Sequence, residues 1–131
     1  MASFKILVVD DDPKSRDLVT QVLIGAGYDA DGMAYSGCSM GLPSTLRPDL
    51  VILDLSKSRK DILEVVQNLR GDSNPRPPRM LFLTSHSLGG PKRLASPGGT
   101  ASLEKPFQMS KLLWMIKALL AEGPSRRATA P

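Results

Sequence analysis

Cysteine is almost missing from this chain: Cys38 is the only one in 131 residues, so no internal disulfide can form. That excludes the disulfide-stapled secreted domains and makes a reducing cytoplasm the expected compartment. Cys38 has no flanking base to lower its pKa and is read as inert. The single histidine, His86, lies between Ser85 and Ser87 in a glycine-rich stretch, and a surface position outside any mechanism is expected for it. Long apolar runs are lacking too, since none approaches the ~18 residues that a membrane span needs. The amino terminus has one lysine and a short apolar run leading into acids, which is not the make-up of a signal peptide. Finally, a basic stripe is absent. The formal charge is +4, but Lys14, Arg16, Arg47, Lys57, Arg70, Arg76, Lys92 and Lys117 are scattered, without interleaved aromatics. A mixed solvated surface follows rather than a nucleic-acid groove or a membrane face.

What is present suits one domain. A chain of this length can bury roughly two thirds of the surface that its unfolded form exposes. Residues 1–122 are expected to fold together. Residues 123–131 are polar, have nothing to bury, and are expected to be disordered. No separate DNA-binding domain fits within this length.

The stretch that organises the rest is Val51-Ile52-Leu53-Asp54. Three apolar residues without polar alternation read as a strand buried on both faces, which belongs to a parallel sheet covered by helices. Asp54 ends that run and so stands at a carboxyl edge, where open parallel sheets bind ligands. The run from Phe4 to Val9 repeats the design and stops at Asp10, Asp11 and Asp12, followed by Pro13, a residue suited to the first turn of a helix. Residues 79–85 form a third such strand, ending in the hydroxyls of Thr84 and Ser85, and a shorter one over 102–107 carries Lys105. Residues 28–34, where Asp29 and Asp31 alternate, read as a weak edge strand. Four strand ends thus bring an acid pair, an acid, a hydroxyl and an amine to one edge of one sheet.

Helical spacing places Leu18, Val19, Val22 and Leu23 on the inner stripe of a first helix that Asp12 caps and Gly27 stops. Ile62, Leu63, Val66 and Leu69 do the same over about 61–70. Met109, Leu112, Leu113, Ile116, Leu119 and Leu120 form the core stripe of a last helix over about 108–121. Gly37, Gly41 and Pro43 oppose a helix in 36–46, which is expected short or broken.

The motifs Val8-Val9-Asp10-Asp11, Leu53-Asp54, Leu83-Thr84-Ser85 and Lys105-Pro106-Phe107, in this order and at these spacings, resemble the receiver domains of two-component response regulators in a stand-alone, chemotaxis-type format. The resemblance covers about residues 4–120. It implies an α/β, flavodoxin-like, doubly wound five-stranded parallel sheet of order 2-1-3-4-5. The fourth helix of that fold would be degenerate here, because six of the sixteen residues of 85–100 are glycine or proline.

Three carboxylates at one edge repel one another unless a cation lies among them. Mg2+ meets that need, since it takes oxygen ligands and is held by one or two carboxylates together with waters and phosphate oxygens. The resemblance implies that Asp11 and Asp54 bind it directly, Asp10 mostly through water, and the Ser56 carbonyl completes the protein ligands. It implies Asp54 as the phosphoacceptor, a nucleophile that takes a phosphoryl group from a histidine kinase or phosphotransfer protein. Thr84 and Lys105 would then meet the phosphoryl oxygens, and Lys105-Pro106 would be a cis peptide. Such a chain is a signalling protein rather than a turnover enzyme.

The chain departs from the family pattern in three places. Lys57-Ser58 and Asp61-Ile62 replace a Met-Pro turn and an Asp-Gly pair, Ser102 stands where an aromatic switch residue is usual, and the fourth helix is eroded. Output is therefore expected through a protein partner or self-association at a face formed by Ser102, Lys111, Trp114 and Met115, with Trp114 about 160° around the helix from the core residue Ile116. Two alternatives share the fold. One is a pseudo-receiver that binds partners without phosphorylation, which retention of the site residues opposes. The other is an Asp-nucleophile phosphohydrolase, which needs an acid where Ser56 stands.

Overall fold

A computed structural model of the chain describes residues 3–35, 47–55, 67, 78–84 and 100–122. These residues form five strands, β1 (Lys5–Val9), β2 (Asp29–Met33), β3 (Leu50–Asp54), β4 (Arg79–Thr84) and β5 (Thr100–Glu104), and two helices, α1 (Pro13–Gly25) and α2 (Met109–Glu122). All four strand pairings are parallel, and the order across the sheet is β2-β1-β3-β4-β5. This is the flavodoxin-like order expected from the sequence. The chain reverses direction across the sheet between β1 and β3, which makes their carboxyl ends the switch point.

Strand parity sorts the core into two layers. Ile6, Val8, Leu50, Ile52, Leu81, Leu83 and Leu103 pack with Val19 and Leu23 of α1 and with Leu112, Ile116, Leu119 and Leu120 of α2. The alternate residues Leu7, Val9, Val51, Leu53, Met80 and Phe82 pack on the other face with Tyr35 and Leu55. β3 and β4 are buried along their whole lengths, which is why neither shows polar alternation. Burying one such Leu or Ile stabilises the fold by about 1.5–3 kcal/mol. β2, at the edge, buries only Ala30.

The ends of α1 are defined by local chemistry. The Asp12 side chain accepts from Lys14 N at 3.1 Å and from Ser15 Oγ at 3.0 Å, and Pro13 opens the helix. At the other end Gly27 adopts φ +98°, Tyr28 N donates to Leu23 O at 3.1 Å, and Gly27 N donates to Ile24 O at 3.0 Å, a Schellman closure that only a residue tolerant of positive φ completes cheaply. The sequence stripe for α1 needs one correction. Val19 and Leu23 are buried and Val22 is half-buried, but Leu18 is exposed. Leu18 lies about 120° around the helix from the centre of the Val19–Leu23 row, which turns it toward solvent.

β5 also differs from its expected span. It runs over Thr100–Glu104, starting two residues before Ser102, and Lys105, Pro106 and Phe107 lie beyond its end. The peptide between Lys105 and Pro106 is cis. The expectations for 36–46, for 61–70 apart from Gln67, for the degenerate fourth helix and for the tail at 123–131 lie outside the described residues; Gln67 itself is helical. No helix among the described residues is long and apolar enough to cross a membrane.

Candidate functional site

The inward parity of the strands carries through to the acids. Ile6 and Val8 lead to Asp10, and Leu50 and Ile52 lead to Asp54, so both carboxyls continue rows that face α1 and α2. Each row ends at the sheet edge, and the two side chains remain almost covered: Asp10 is 8% exposed and Asp54 7%.

Hydrogen bonds fix the loop that carries Asp10 and Asp11. Asp10 N donates to Met33 O at 3.1 Å, and Arg16 Nη1 reaches back along α1 to donate to Asp10 O at 2.8 Å. The Asp10 carboxyl accepts from Asp12 N at 2.9 Å. Asp11, more exposed, accepts on Oδ1 from Tyr35 N at 2.8 Å. Asp54 is joined by two residues from distant parts of the chain: the Lys105 ammonium is ion-paired with its Oδ2, and the Tyr35 hydroxyl donates to its main-chain carbonyl at 2.6 Å. Lys105 N in turn donates to Thr84 O at 2.7 Å, so the lysine is placed from the end of β4. Thr84 is buried at that end, one strand over from Asp54.

The electrostatics reflect this crowding. The Asp10 carboxyl is raised from 3.8 to about 6, first by burial, with the Asp54 charge and a hydrogen bond between the two carboxyls adding to the rise. The Asp12 amide and the Lys105 charge work in the opposite direction. Among the described residues no group of three acid, histidine or cysteine side chains is close enough to make a complete metal cage. Mg2+ is nevertheless suited to this donor set. The oxygens are hard carboxylates, burial and the neighbouring Asp54 raise the Asp10 carboxyl above its ordinary range, and Mg2+ keeps waters rather than demanding an all-protein shell.

The structure thus brings Asp10, Asp54 and Lys105 into contact at one edge, with Thr84 at the next strand end and Asp11 turned to the Tyr35 amide. Ser56 lies outside the described residues. On the expected output face Ser102, Lys111 and Trp114 are exposed, while Met115 is half-buried against the α1/α2 core and contributes only in part. Sequence reasoning missed Tyr35 and Arg16. The available signal for Tyr35 was an aromatic residue two positions beyond β2, next to the acid-bearing edge. For Arg16 it was a cation one turn into α1, within reach of the loop that precedes it.

The sequence model described as response regulator receiver domain matches residues 6–117. The chain belongs to the response regulator receiver domain family. It is 35% identical over 117 residues to the DNA-binding dual master transcriptional regulator RpaA of Synechocystis sp., covering 88% of this chain and 48% of that protein. It is 36% identical over 121 residues to the response regulator MprA of Mycobacterium tuberculosis, covering 90% and 51%. The chain therefore spans about half the length of the curated relatives it matches. A solved signal receiver domain from Bermanella marisrubri superposes with a TM-score of 0.74 at 29% identity, over 91% of this chain and 99% of that one. These matches do not carry the stand-alone, chemotaxis-type format. As a receiver domain of two-component signalling, the chain has a phosphoacceptor role.

Proposed function

We propose that this receiver domain takes a phosphoryl group onto Asp54 from a sensor histidine kinase or a phosphotransfer protein, with Mg2+ as cofactor, and signals by protein–protein contact rather than by turnover. The observation that carries the reading is the convergence on Asp54 of a lysine and a second buried acid at the switch point of the sheet. An Asp54 carboxylate oxygen attacks the phosphorus of the donor's phosphohistidine; the new O–P bond forms as the P–N bond breaks, and the imidazole leaves with the electron pair. Lys105 supplies a fixed positive charge to the phosphoryl oxygens, and the Thr84 hydroxyl supplies a donor. Mg2+ would be held by Asp11 and Asp54, with Asp10 acting through water and Ser56 through its carbonyl, and when bound it neutralises negative charge as the phosphoryl group approaches.

Residues 1–122 would form the receiver, in the cytoplasm. Output would run to a downstream protein or a second copy of the chain through the outer face of α2, where Trp114 is 67% exposed. The outcome expected with acetyl phosphate and Mg2+ is one acid-stable, base-labile phosphoryl group on the wild type and none on Asp54→Ala, read by intact mass. Equal modification of the variant would remove Asp54 from its role.

A further inference from the structure

Tyr35 stands outside the family motifs, yet it contacts both halves of the site. Its ring is buried, 3% exposed, among Leu7, Val9, Val51, Leu53 and Phe82 on the face of the sheet away from α1 and α2. Its amide holds Asp11 Oδ1 at 2.8 Å and its hydroxyl holds Asp54 O at 2.6 Å. The second contact answers a specific defect of the sheet. Pairing between β1 and β3 ends at Val9 and Leu53, but β3 runs on to Asp54. Leu55 N donates to Leu83 O on the β4 side. By strand alternation the Asp54 carbonyl faces the β1 side, where the ladder has already stopped. A buried carbonyl there needs a donor, and the phenol supplies it.

We infer that Tyr35 is a positioning residue for phosphoryl transfer. Its core-anchored hydroxyl fixes the peptide plane that follows Asp54, and so sets the direction of the nucleophile, while its amide separately orients Asp11. The inference rests on the proposed phosphoacceptor function and adds a residue to it.

The two contacts separate in Tyr35→Phe, which keeps the ring and the amide and loses only the hydroxyl. The expected signature is a maximal rate of phosphorylation by acetyl phosphate lowered about 10-fold at saturating Mg2+, because a small misplacement of a reacting group is enough for a loss of that size. The half-saturating Mg2+ concentration should change by no more than about 2-fold, since the donor to Asp11 remains. A merely structural role would lower the melting temperature and leave the maximal rate of the folded variant unchanged, and that result would overturn the inference. If Tyr35→Phe does not fold, proton NMR of the wild type decides the matter. A slowly exchanging Tyr35 hydroxyl proton that shifts on phosphorylation supports the role, and a freely exchanging or unresponsive one overturns it. A wild type that accepts no phosphoryl group would instead overturn the proposed function itself, a failure distinct from equal rates in wild type and variant.

Discussion

The Lys105 ammonium pairs with the Asp54 carboxylate across β4, joining the segment after β5 to the last residue of β3. One cation thereby compensates a nearly buried acid that already has Asp10 beside it. In Lys105→Met that compensation is lost, and phosphorylation of Asp54 should slow by about 100-fold, the scale of one missing electrostatic donor to a transferring group. Mg2+ affinity should hold or rise, because a competing positive charge has left the site. The stability cost should be about 1–2 kcal/mol, less than for a fully buried pair because Lys105 is partly exposed. An unchanged phosphorylation rate, or Mg2+ binding lost in calorimetry, would contradict this assignment of roles.

Asp10 gives a pH dependence whose sign can be worked out. Its carboxyl is ordinary in the unfolded chain, at 3.8, and is pushed up to about 6 in the fold, chiefly by burial and then by Asp54. Between those values the native state binds more protons than the unfolded one, so the stability associated with Asp10 is lost as pH rises through that window. Without Mg2+, Asp10→Asn should therefore stabilise the protein at pH 7.5 by about 1–2 kcal/mol, a discount on the full shift for water at the sheet edge. The gain should vanish near pH 4. Thermal denaturation at the two pH values checks both statements, and added Mg2+ should raise the melting temperature of the wild type more than that of the variant.

Gly32 and Arg16 give a test of how the acid loop is held. A Cβ on Gly32 would lie 2.7 Å from Arg16 Cγ, 3.0 Å from Arg16 Cδ and 3.2 Å from Thr20 Oγ1. The bare glycine in β2 is thus the slot through which the arginine stem passes on its way to the Asp10 carbonyl. Gly32→Ala should displace that stem and cost about 1–2 kcal/mol. In an Arg16→Ala background the same change should cost much less, giving a coupling of about 1 kcal/mol in a double-mutant cycle followed by urea unfolding. Additive effects would show that the stem does not need the slot.

Much of this architecture was legible in the residues. Unalternated runs ending in Asp10, Asp54 and Thr84 determined the strands and placed the acids at one edge, because burial on both faces leaves no polar position until the strand stops. The last helix was read correctly because six apolar residues repeat on one stripe. The sequence was a poorer guide at the margin of a helix face, as with Leu18 beside the Val19–Leu23 row, and where a strand boundary rests on weak formers, as in β5. Tyr35 and Arg16 were hidden for another reason. Each acts through a hydrogen bond to a main-chain carbonyl, at Asp54 and Asp10, and a carbonyl has no side-chain signature to search for.

Trp114 is the outstanding surface residue of α2. Leu112, Ile116, Leu119 and Leu120 turn inward, and Met115 is half-covered, but Trp114 remains 67% exposed. A scattered exposed leucine needs no explanation. A largely wet indole does, because tryptophan is among the residues that most often anchor interfaces. Lys111, one turn earlier on the same helix, is also exposed. Trp114 lies far around the helix from Ile116, so its removal should leave the core and the Asp54 site intact. Trp114→Ala should accept phosphate from acetyl phosphate at the wild-type rate and unfold within about 0.5 kcal/mol of the wild type. Its association, read as self-association by analytical ultracentrifugation and as partner capture with the phosphorylated protein, should weaken by at least about 10-fold, the loss expected when an anchor residue is truncated. Association equal to that of the wild type in both measurements would remove Trp114 from the output surface.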